Sequence, residues 1–226
     1  MIKIYCSTAF KSILPTLLDD FEKTSGVGSS IEFGTTNRIL ELIHQGESAD
    51  LMILTHEAIN TLIDTGYCKK GTLKDLCKTS IGMAIAADAV KPDIQNTANF
   101  IQAILDTPSI TFTSKGASGV YFRGLVERLN LLERILPKAI IPEGGLVAEQ
   151  ILLGKAHMAI QLISEIKAVP QVQLVGPLPE EINQTTLFTA GIGSHSTHSA
   201  VLENLCDFLT NASNQTLLIE KGLNPV

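Results

Sequence analysis

The sequence predicts an α/β fold with largely parallel sheets and helices on both faces of those sheets. Short runs of β-branched and apolar residues alternate with segments whose apolar residues recur every three or four positions, along most of the 226 residues. Several strand runs end in hydroxylated residues that start the next helical segment, and several helical segments end at glycine. Parallel strands joined by helical crossovers produce this alternation. The length fits one large domain or two small ones.

The first part of the chain, up to Gly66, contains three pairs of a strand and a helix. The predicted strands are 2–6, 29–33 and 50–54. The apolar positions that mark the inner faces of the three helices are Ile13, Leu14, Leu17, Leu18 and Phe21, then Ile39, Leu40 and Ile43, and then Ala58, Ile59, Leu62 and Ile63. Pro15 lies inside the first helical pattern, so we expect it to bend that helix. Thr55 stands directly before the third helix and is expected to cap it.

A second series of elements begins near Ser80. Its predicted strands are 81–87, 109–112, 139–141, 158–162, 172–174 and 186–192. A long helix is predicted from Val120 onward, with an inner face formed by Val120, Phe122, Leu125, Val126 and Leu129. Further helices are predicted at 98–105, in the segment that ends at Gly154, at 200–210 and at 214–221. Residues 176–179 are too rich in proline to be regular and are interpreted as a connector.

Composition and charge exclude several classes of function. The net charge is −6 and the basic residues are scattered, so the sequence predicts neither nucleic-acid binding nor a polybasic membrane surface. No apolar run reaches the roughly 18 residues that a membrane span needs. The four cysteines (Cys6, Cys68, Cys77 and Cys206) lack the spacing of a zinc site and are expected to be buried thiols. Neither a metal nor another cofactor is predicted. The chain as written has no signal peptide, which indicates a cytoplasmic protein, or a periplasmic one if a signal has been removed.

Hydroxyl groups and glycines cluster where strands give way to helices. Ser7, Thr8 and Ala9 follow the first strand, Thr35, Thr36 and Asn37 follow the second, and a loop with Lys115, Ala117 and Ser118 precedes the long helix. The start of a helix presents unpaired N–H groups at the positive end of its dipole, which favours an anion. Each of these hydroxyls could equally be an ordinary helix cap. Their recurrence at successive strand ends predicts a site for a small anion.

The residues 34–40 and 45–51, read together, resemble the molybdate-binding branch of the type 2 periplasmic binding proteins. Residues 146–154, 161–166 and 175–179 are similar to a sub-branch that includes bacterial aconitate isomerase. The resemblance implies a two-lobe fold with a double hinge crossing near 78–81 and 182–187. Lobe one would be 1–80 with 187–226, lobe two would be 81–186, and the ligand would lie in the cleft. It also implies a monomer, and an ABC transporter permease as partner if the protein is exported.

Transfer of the family's ligand contacts to this sequence is incomplete. The first ligand serine falls at Ala9, where the adjacent Ser7 and Thr8 could substitute, and the second falls at Thr35 or Thr36. The backbone contacts fall at Ser118 and at Gly144 or Gly145, and the tyrosine that binds the oxyanion falls at Leu162. Two side-chain donors are therefore missing, which disfavours molybdate and favours a di- or tricarboxylate. Gln161, near the end of an apolar strand, is expected to be buried with a partner and to face either the cleft or the core.

Two hypotheses for function remain open at this point. In the first, the protein binds a small carboxylate and performs no chemistry. In the second, which the aconitate isomerase resemblance implies, the same site isomerises an unsaturated tricarboxylic acid by an allylic 1,3-proton shift. That reaction needs a base, for which His56, Glu165 and Tyr121 are the candidates. A histidine at a helix start is often structural, and no catalytic triad or metal triad is visible.

Overall fold

Strands and helices alternate along residues 1–226, all of which the computed structural model describes. The strands are β1 (Ile2–Ser7), β2 (Ser29–Gly34), β3 (Leu51–Thr55), β4 (Lys74–Ala86), β5 (Ile110–Thr111), β6 (Ala139–Ile140), β7 (Met158–Leu162), β8 (Val172–Pro177), β9 (Thr185–Ile192) and β10 (Asn224–Pro225). The helices are α1 (Leu14–Ser25), α2 (Thr36–His44), α3 (His56–Asp64), α4 (Thr97–Asp106), α5 (Ala117–Arg128), α6 (Leu132–Ile135), α7 (Glu149–Leu152), α8 (Ile163–Ile166), α9 (Ser199–Leu209) and α10 (Ala212–Glu220). Three short 3₁₀ helices span Thr8–Phe10, Leu136–Lys138 and Glu180–Ile182.

The chain forms two compact units. Unit 1 consists of Met1–Lys78 and Thr186–Val226, and unit 2 consists of Thr79–Thr185. The chain leaves unit 1 within β4 and returns to it within β9. Among the helices of either unit, none combines the length and the hydrophobicity that crossing a bilayer requires.

The sheet of unit 1 places three strand ends at one edge. β1 pairs in parallel with β2, with Ser7 opposite Gly34, and with β3, with Cys6 opposite Ile53. β9 continues this sheet by pairing antiparallel with β3. Because β1, β2 and β3 run in the same direction, the residues that follow all three strands meet at the carboxyl edge. Beneath this sheet α2 and α3 bury a cluster that includes Tyr5, Ile39, Met52 and Ile59.

Unit 2 contains a second parallel set of strands. β5 pairs in parallel with both β6 and β7, whereas β4 pairs antiparallel with β7 and β8. The expected α/β class is confirmed, and the sheets are mixed because β4 and β9 pair antiparallel with their neighbours. A core cluster of Ala84, Val147, Ala148 and Ala159 packs the loop after β6 against β7. These small side chains allow the loop to lie close to the strand.

Six local predictions need correction. The long helix begins at Ala117 and not at Val120, and Gly176 and Pro177, predicted to lie in a connector, are the last two residues of β8. β4 begins at Lys74 and not at 81, because polar residues in its first half hide the strand pattern. Pro15 lies in the first turn of α1, where no helical hydrogen bond needs its N–H, and therefore does not interrupt the helix. Thr55 occupies the cap position of α3 without a side-chain hydrogen bond. Val120 is 51% exposed because it shares the outer face of α5 with Arg123 and Glu127.

Candidate functional site

The carboxyl edge of unit 1 begins with three buried residues, Ser7, Thr8 and Ala9. Ser7 is the last residue of β1, and Thr8 and Ala9 lie in the 3₁₀ turn Thr8–Phe10, whose first turn has no acidic side chain. The hydroxyl of Ser7 accepts a hydrogen bond from the backbone N–H of Ala9 at 3.3 Å. Ser7 thus acts as a cap, and its hydroxyl proton remains available for a further acceptor.

The β2–α2 junction lies beside this turn. Gly34 is the register partner of Ser7, so Thr35 and Thr36 follow at the same edge. The hydroxyl of the buried Thr35 accepts from the backbone N–H of Arg38 at 3.2 Å and caps α2. Thr36 is half-buried and Asn37 is exposed. The first turn of α2 has no acidic residue, so the positive end of its dipole is not neutralised locally.

His56 occupies the same edge, one residue after the end of β3. Its Nδ1 lies 3.0 Å from Oδ1 of Asp75 and 3.1 Å from Oγ1 of Thr189. Asp75 lies in β4 and Thr189 in β9, so the three residues come from distant parts of the sequence. Sequence reasoning singled out His56 but missed both of its partners, since neither stands in a recognisable motif.

In unit 2, the loop between β5 and α5 is folded tightly around Thr113. The backbone N–H of Gly116 donates to the Thr113 hydroxyl at 3.2 Å. A Cβ on Gly119 would lie 1.9 Å from the carbonyl oxygen of Thr113, so only glycine fits there. α5 starts at Ala117 with no side-chain cap and no acidic residue in its first turn. Its first N–H groups and the buried Ser118 therefore form an anion-attracting helix start.

A second loop of unit 2, after β6, is tied to the first. The backbone N–H of Ser114 donates to the carbonyl of Pro142 at 2.8 Å, and that of Lys115 donates to Glu143 at 3.1 Å. The ammonium of Lys115 also lies 3.3 Å from the carboxylate of Glu143. Lys115 thus connects the first loop to the second, and the carboxylate of Glu143 partly neutralises its positive charge.

The end of β7 supports the same loop. The side-chain amide of Gln161 donates to the carbonyl of Gly145 at 2.7 Å, and Gly145 has a φ of +88°, which favours glycine. Gln161 is buried with a partner, as expected, although its Oε1 has no hydrogen-bond partner in the protein. Gly144 and Gly145 are thereby brought next to the end of β7, where Leu162 offers no polar side-chain atom.

The other two predicted bases have different surroundings. The hydroxyl of Tyr121 donates to the carbonyl of Ile182 at 3.0 Å, and the guanidinium of Arg128 lies 5.4 Å from the centre of its ring. Glu165 lies in α8 and is 6% exposed. The hydroxyl of Tyr121 is therefore engaged with the backbone, and Glu165 is largely shielded from water.

The largest of the described cavities lies apart from the predicted site residues, and the four cysteines are buried thiols. A cavity of about 530 Å³ in unit 2 is lined by 91–95 and 175–180 and contains none of the predicted site residues. No group of three or more His, Cys, Asp or Glu side chains is arranged to bind a metal ion. All four cysteines are free and buried, as the sequence predicts. Burial raises the pKa of the Cys68 and Cys206 thiols to about 12.

Comparison with known proteins identifies relatives over nearly the whole chain. A family profile of bacterial extracellular solute-binding proteins matches residues 2–224. An aconitate isomerase from Pseudomonas sp is 31% identical over 216 residues, which cover 91% of this chain and 80% of that protein. The periplasmic molybdate-binding protein of Azotobacter vinelandii superposes with a TM-score of 0.82 at 15% identity, covering 99% and 98% of the two chains. PEB3 of Campylobacter jejuni with bound L-phospholactate superposes with a TM-score of 0.73 at 12% identity, covering 100% of both chains.

Proposed function

We propose that this chain, which belongs to the bacterial extracellular solute-binding protein family, binds a small organic anion, namely a di- or tricarboxylate. The observation that carries the proposal is the chemistry of the strand ends in the two units. In each unit, buried hydroxyls and helix-start N–H groups lie at the carboxyl edge, and the first turns of α2 and α5 have no acidic residue. Such groups replace the water that hydrates an anion.

Two positions favour a carboxylate over molybdate. Ala9 and Leu162 stand where the resemblance implies hydroxyl donors, and neither has a polar side-chain atom. A tetrahedral oxyanion held without paired cations needs nearly all of its hydrogen bonds, so the loss of two donors weakens its binding strongly. A carboxylate needs fewer donors for each charged group.

The proposed contacts comprise hydroxyls, backbone N–H groups and one cation. In unit 1 they are Ser7, Thr8, Ala9, Thr35, Thr36 and Asn37, and in unit 2 they are Lys115, Ala117, Ser118, Gly144, Gly145 and Gln161. Gln161 contributes through its hold on Gly145. If the protein is exported, its partner is the permease of an ABC transporter, which is consistent with its extracellular solute-binding family.

A second candidate function is the isomerisation of an unsaturated tricarboxylic acid. The specific observation in its favour is the 31% identity to an aconitate isomerase over 91% of this chain. The reaction moves a proton between two carbon atoms and needs no external reactant. Both candidate functions require the same carboxylate to bind first.

A thermal-shift screen tests the proposal. Citrate, cis-aconitate, trans-aconitate, molybdate and sulfate are added separately at concentrations up to 10 mM, and stabilisation identifies the bound class. We expect the largest increase in melting temperature with a tricarboxylate. A larger increase with molybdate contradicts the proposal, and no increase with any of the three tricarboxylates contradicts a tricarboxylate as the ligand. An absorbance time course on both aconitates then distinguishes a binding protein from an isomerase.

A further inference from the structure

His56 lies at the carboxyl edge of the unit 1 sheet together with Ser7. It directly follows Thr55, the last residue of β3, and β3 runs parallel to β1 with Ile53 opposite Cys6. The carboxyl ends of parallel strands are the usual place for ligands in α/β sheets. The side chain of His56 is 32% exposed, so a solute at this edge can reach the ring.

Two oxygen atoms hold one nitrogen of the imidazole ring. Nδ1 of His56 lies 3.0 Å from Oδ1 of Asp75 and 3.1 Å from Oγ1 of Thr189. The hydroxyl of Thr189 donates its single proton to Oδ1 of Asp75 at 2.6 Å. Oγ1 of Thr189 can therefore only accept from His56, and the carboxylate is an acceptor as well. Nδ1 must carry the proton that these two oxygens share.

The position of that proton determines the chemistry of the other nitrogen. In the neutral ring, a proton on Nδ1 leaves Nε2 with a lone pair. Nε2 has no hydrogen-bond partner in the protein, since both hydrogen bonds of the ring involve Nδ1. A ring that is oriented through one nitrogen and open at the other is suited to act as a general base.

The carboxylate that holds the ring is ionised. Burial raises the pKa of the Asp75 carboxyl, but hydrogen bonds from Thr189 and His56, together with the charge of Lys78, outweigh it, so the pKa lies below its usual value. Asp75 is therefore ionised at neutral pH and stabilises a positive charge on the ring. Glu57, the neighbour of His56 in α3, is exposed.

The other histidines lack this arrangement. Nδ1 of His157 lies 2.8 Å from the hydroxyl of Ser109, and the ring of His44 packs against Tyr67 at 5.7 Å. Among the five histidines, only His56 makes an ion pair with a carboxylate. The structure thus distinguishes His56 from the remaining histidines by geometry.

We propose that Nε2 of His56 acts as a general base on a bound polycarboxylate, with Asp75 as its positioning residue. The substrate class is an unsaturated polycarboxylate with a CH₂ group between a carboxylate and the double bond. This inference rests on the proposed function, because the anion must first bind at the same edge.

The proton transfer balances within the bound molecule and the ring. Nε2 takes a proton from the CH₂ group, and the electron pair of the broken C–H bond spreads over the three allylic carbons. The imidazolium then returns a proton to the far end of that unit, and the double bond moves by one position. The ring ends neutral, and no oxidant, reductant or other reactant is consumed.

Deuterium incorporation tests the inference with the full chain. Proton NMR in D₂O follows the CH₂ signal of cis-aconitate, while a thermal shift with the same compound reports binding. The variants are His56→Gln and Asp75→Asn, and His195→Gln is the matched control because His195 is exposed and makes no ion pair. Exchange is a direct readout because the proton on Nε2 equilibrates with solvent.

We expect the unmodified chain and His195→Gln to incorporate deuterium, and His56→Gln to lose about 100-fold or more of the rate while still binding cis-aconitate. Asp75→Asn should slow exchange and move its pH profile to lower pH, because the imidazolium loses its carboxylate. A merely structural role of Asp75 would not move that profile.

Binding of cis-aconitate without deuterium incorporation overturns the inference and leaves the proposed function intact. Exchange that is unchanged in His56→Gln also overturns it. If no carboxylate produces a thermal shift, both the proposed function and this inference fail. Should His56→Gln not fold, nitrogen NMR of the unmodified chain decides, since a neutral His56 ring protonated on Nε2 contradicts the inference.

Discussion

The side-chain amide of Gln161 donates to the carbonyl of Gly145 at 2.7 Å, and this bond joins the end of β7 to the loop after β6. The carbonyl belongs to a residue with φ of +88°, so the loop turns back at this point. The same loop receives hydrogen bonds from the backbone of Ser114 and Lys115. Gln161 therefore stabilises the position of two glycines that are proposed to contact the anion.

Replacing Gln161 with methionine should loosen this loop and leave the fold intact. Methionine retains the length of the side chain but cannot donate, so Gly145 loses a bond worth about 0.5–1.5 kcal/mol. We expect faster amide hydrogen exchange in 143–146 and weaker anion binding by about tenfold. Gln150→Met is the control, because Gln150 is half-buried and its side chain makes no hydrogen bond. Equal exchange rates in the two variants would show that the Gln161 bond does not hold the loop.

Thr35 and Thr36 should differ in their effect on stability. Thr35 caps α2 through Arg38, so Thr35→Ala should lower the free energy of unfolding by about 1 kcal/mol. Thr36 is half-buried and caps nothing, so Thr36→Ala should change it by less than about 0.5 kcal/mol. Urea unfolding followed by circular dichroism measures both values. The assignment of the cap is wrong if Thr36→Ala is the more destabilised protein.

Alanine substitutions at two glycines of α5 should change the free energy of unfolding in opposite directions. Gly119→Ala would bring a Cβ within 1.9 Å of a backbone oxygen, which costs about 3 kcal/mol or more. At Gly124 the nearest atom to an added Cβ is the flexible end of Arg128 at 3.4 Å, so Gly124→Ala should stabilise the helix by about 0.5–1 kcal/mol. Thermal unfolding of both variants checks the prediction. Similar melting temperatures would contradict the close approach at Gly119.

The four buried thiols should be inert in the folded protein. Burial raises the pKa of Cys68 and Cys206 to about 12 and places that of Cys6 and Cys77 above the usual range as well. The reactive thiolate is therefore nearly absent at pH 8. Titration with Ellman's reagent should detect almost no thiol in the native protein and four in guanidinium. Rapid reaction of any thiol in the native protein would contradict this burial.

Local patterns predicted the α/β class and the strand ends well, because their signals are short in range. The Thr35 cap and the burial of Gln161 both follow from residues within a few positions of each other. The start of α5 was predicted three residues late, because the small residues Ala117, Ser118 and Gly119 resemble a continuation of the loop. The early start of β4 was missed because its first seven residues contain five polar ones that do not alternate with apolar residues, so 74–80 resembles a polar connector. No local signal could find the His56 cluster, since Asp75 and Thr189 lie 19 and 133 positions away.

The most direct test of the central claim is isothermal titration calorimetry with citrate, cis-aconitate and molybdate under the same conditions. We predict saturable binding of at least one tricarboxylate and none of molybdate. Thr36→Ala and Ser118→Ala should each weaken tricarboxylate binding by about 1–3 kcal/mol, whereas Ser114→Ala, at an exposed position, should not. Tight molybdate binding, or tricarboxylate binding that neither variant changes, would contradict the account.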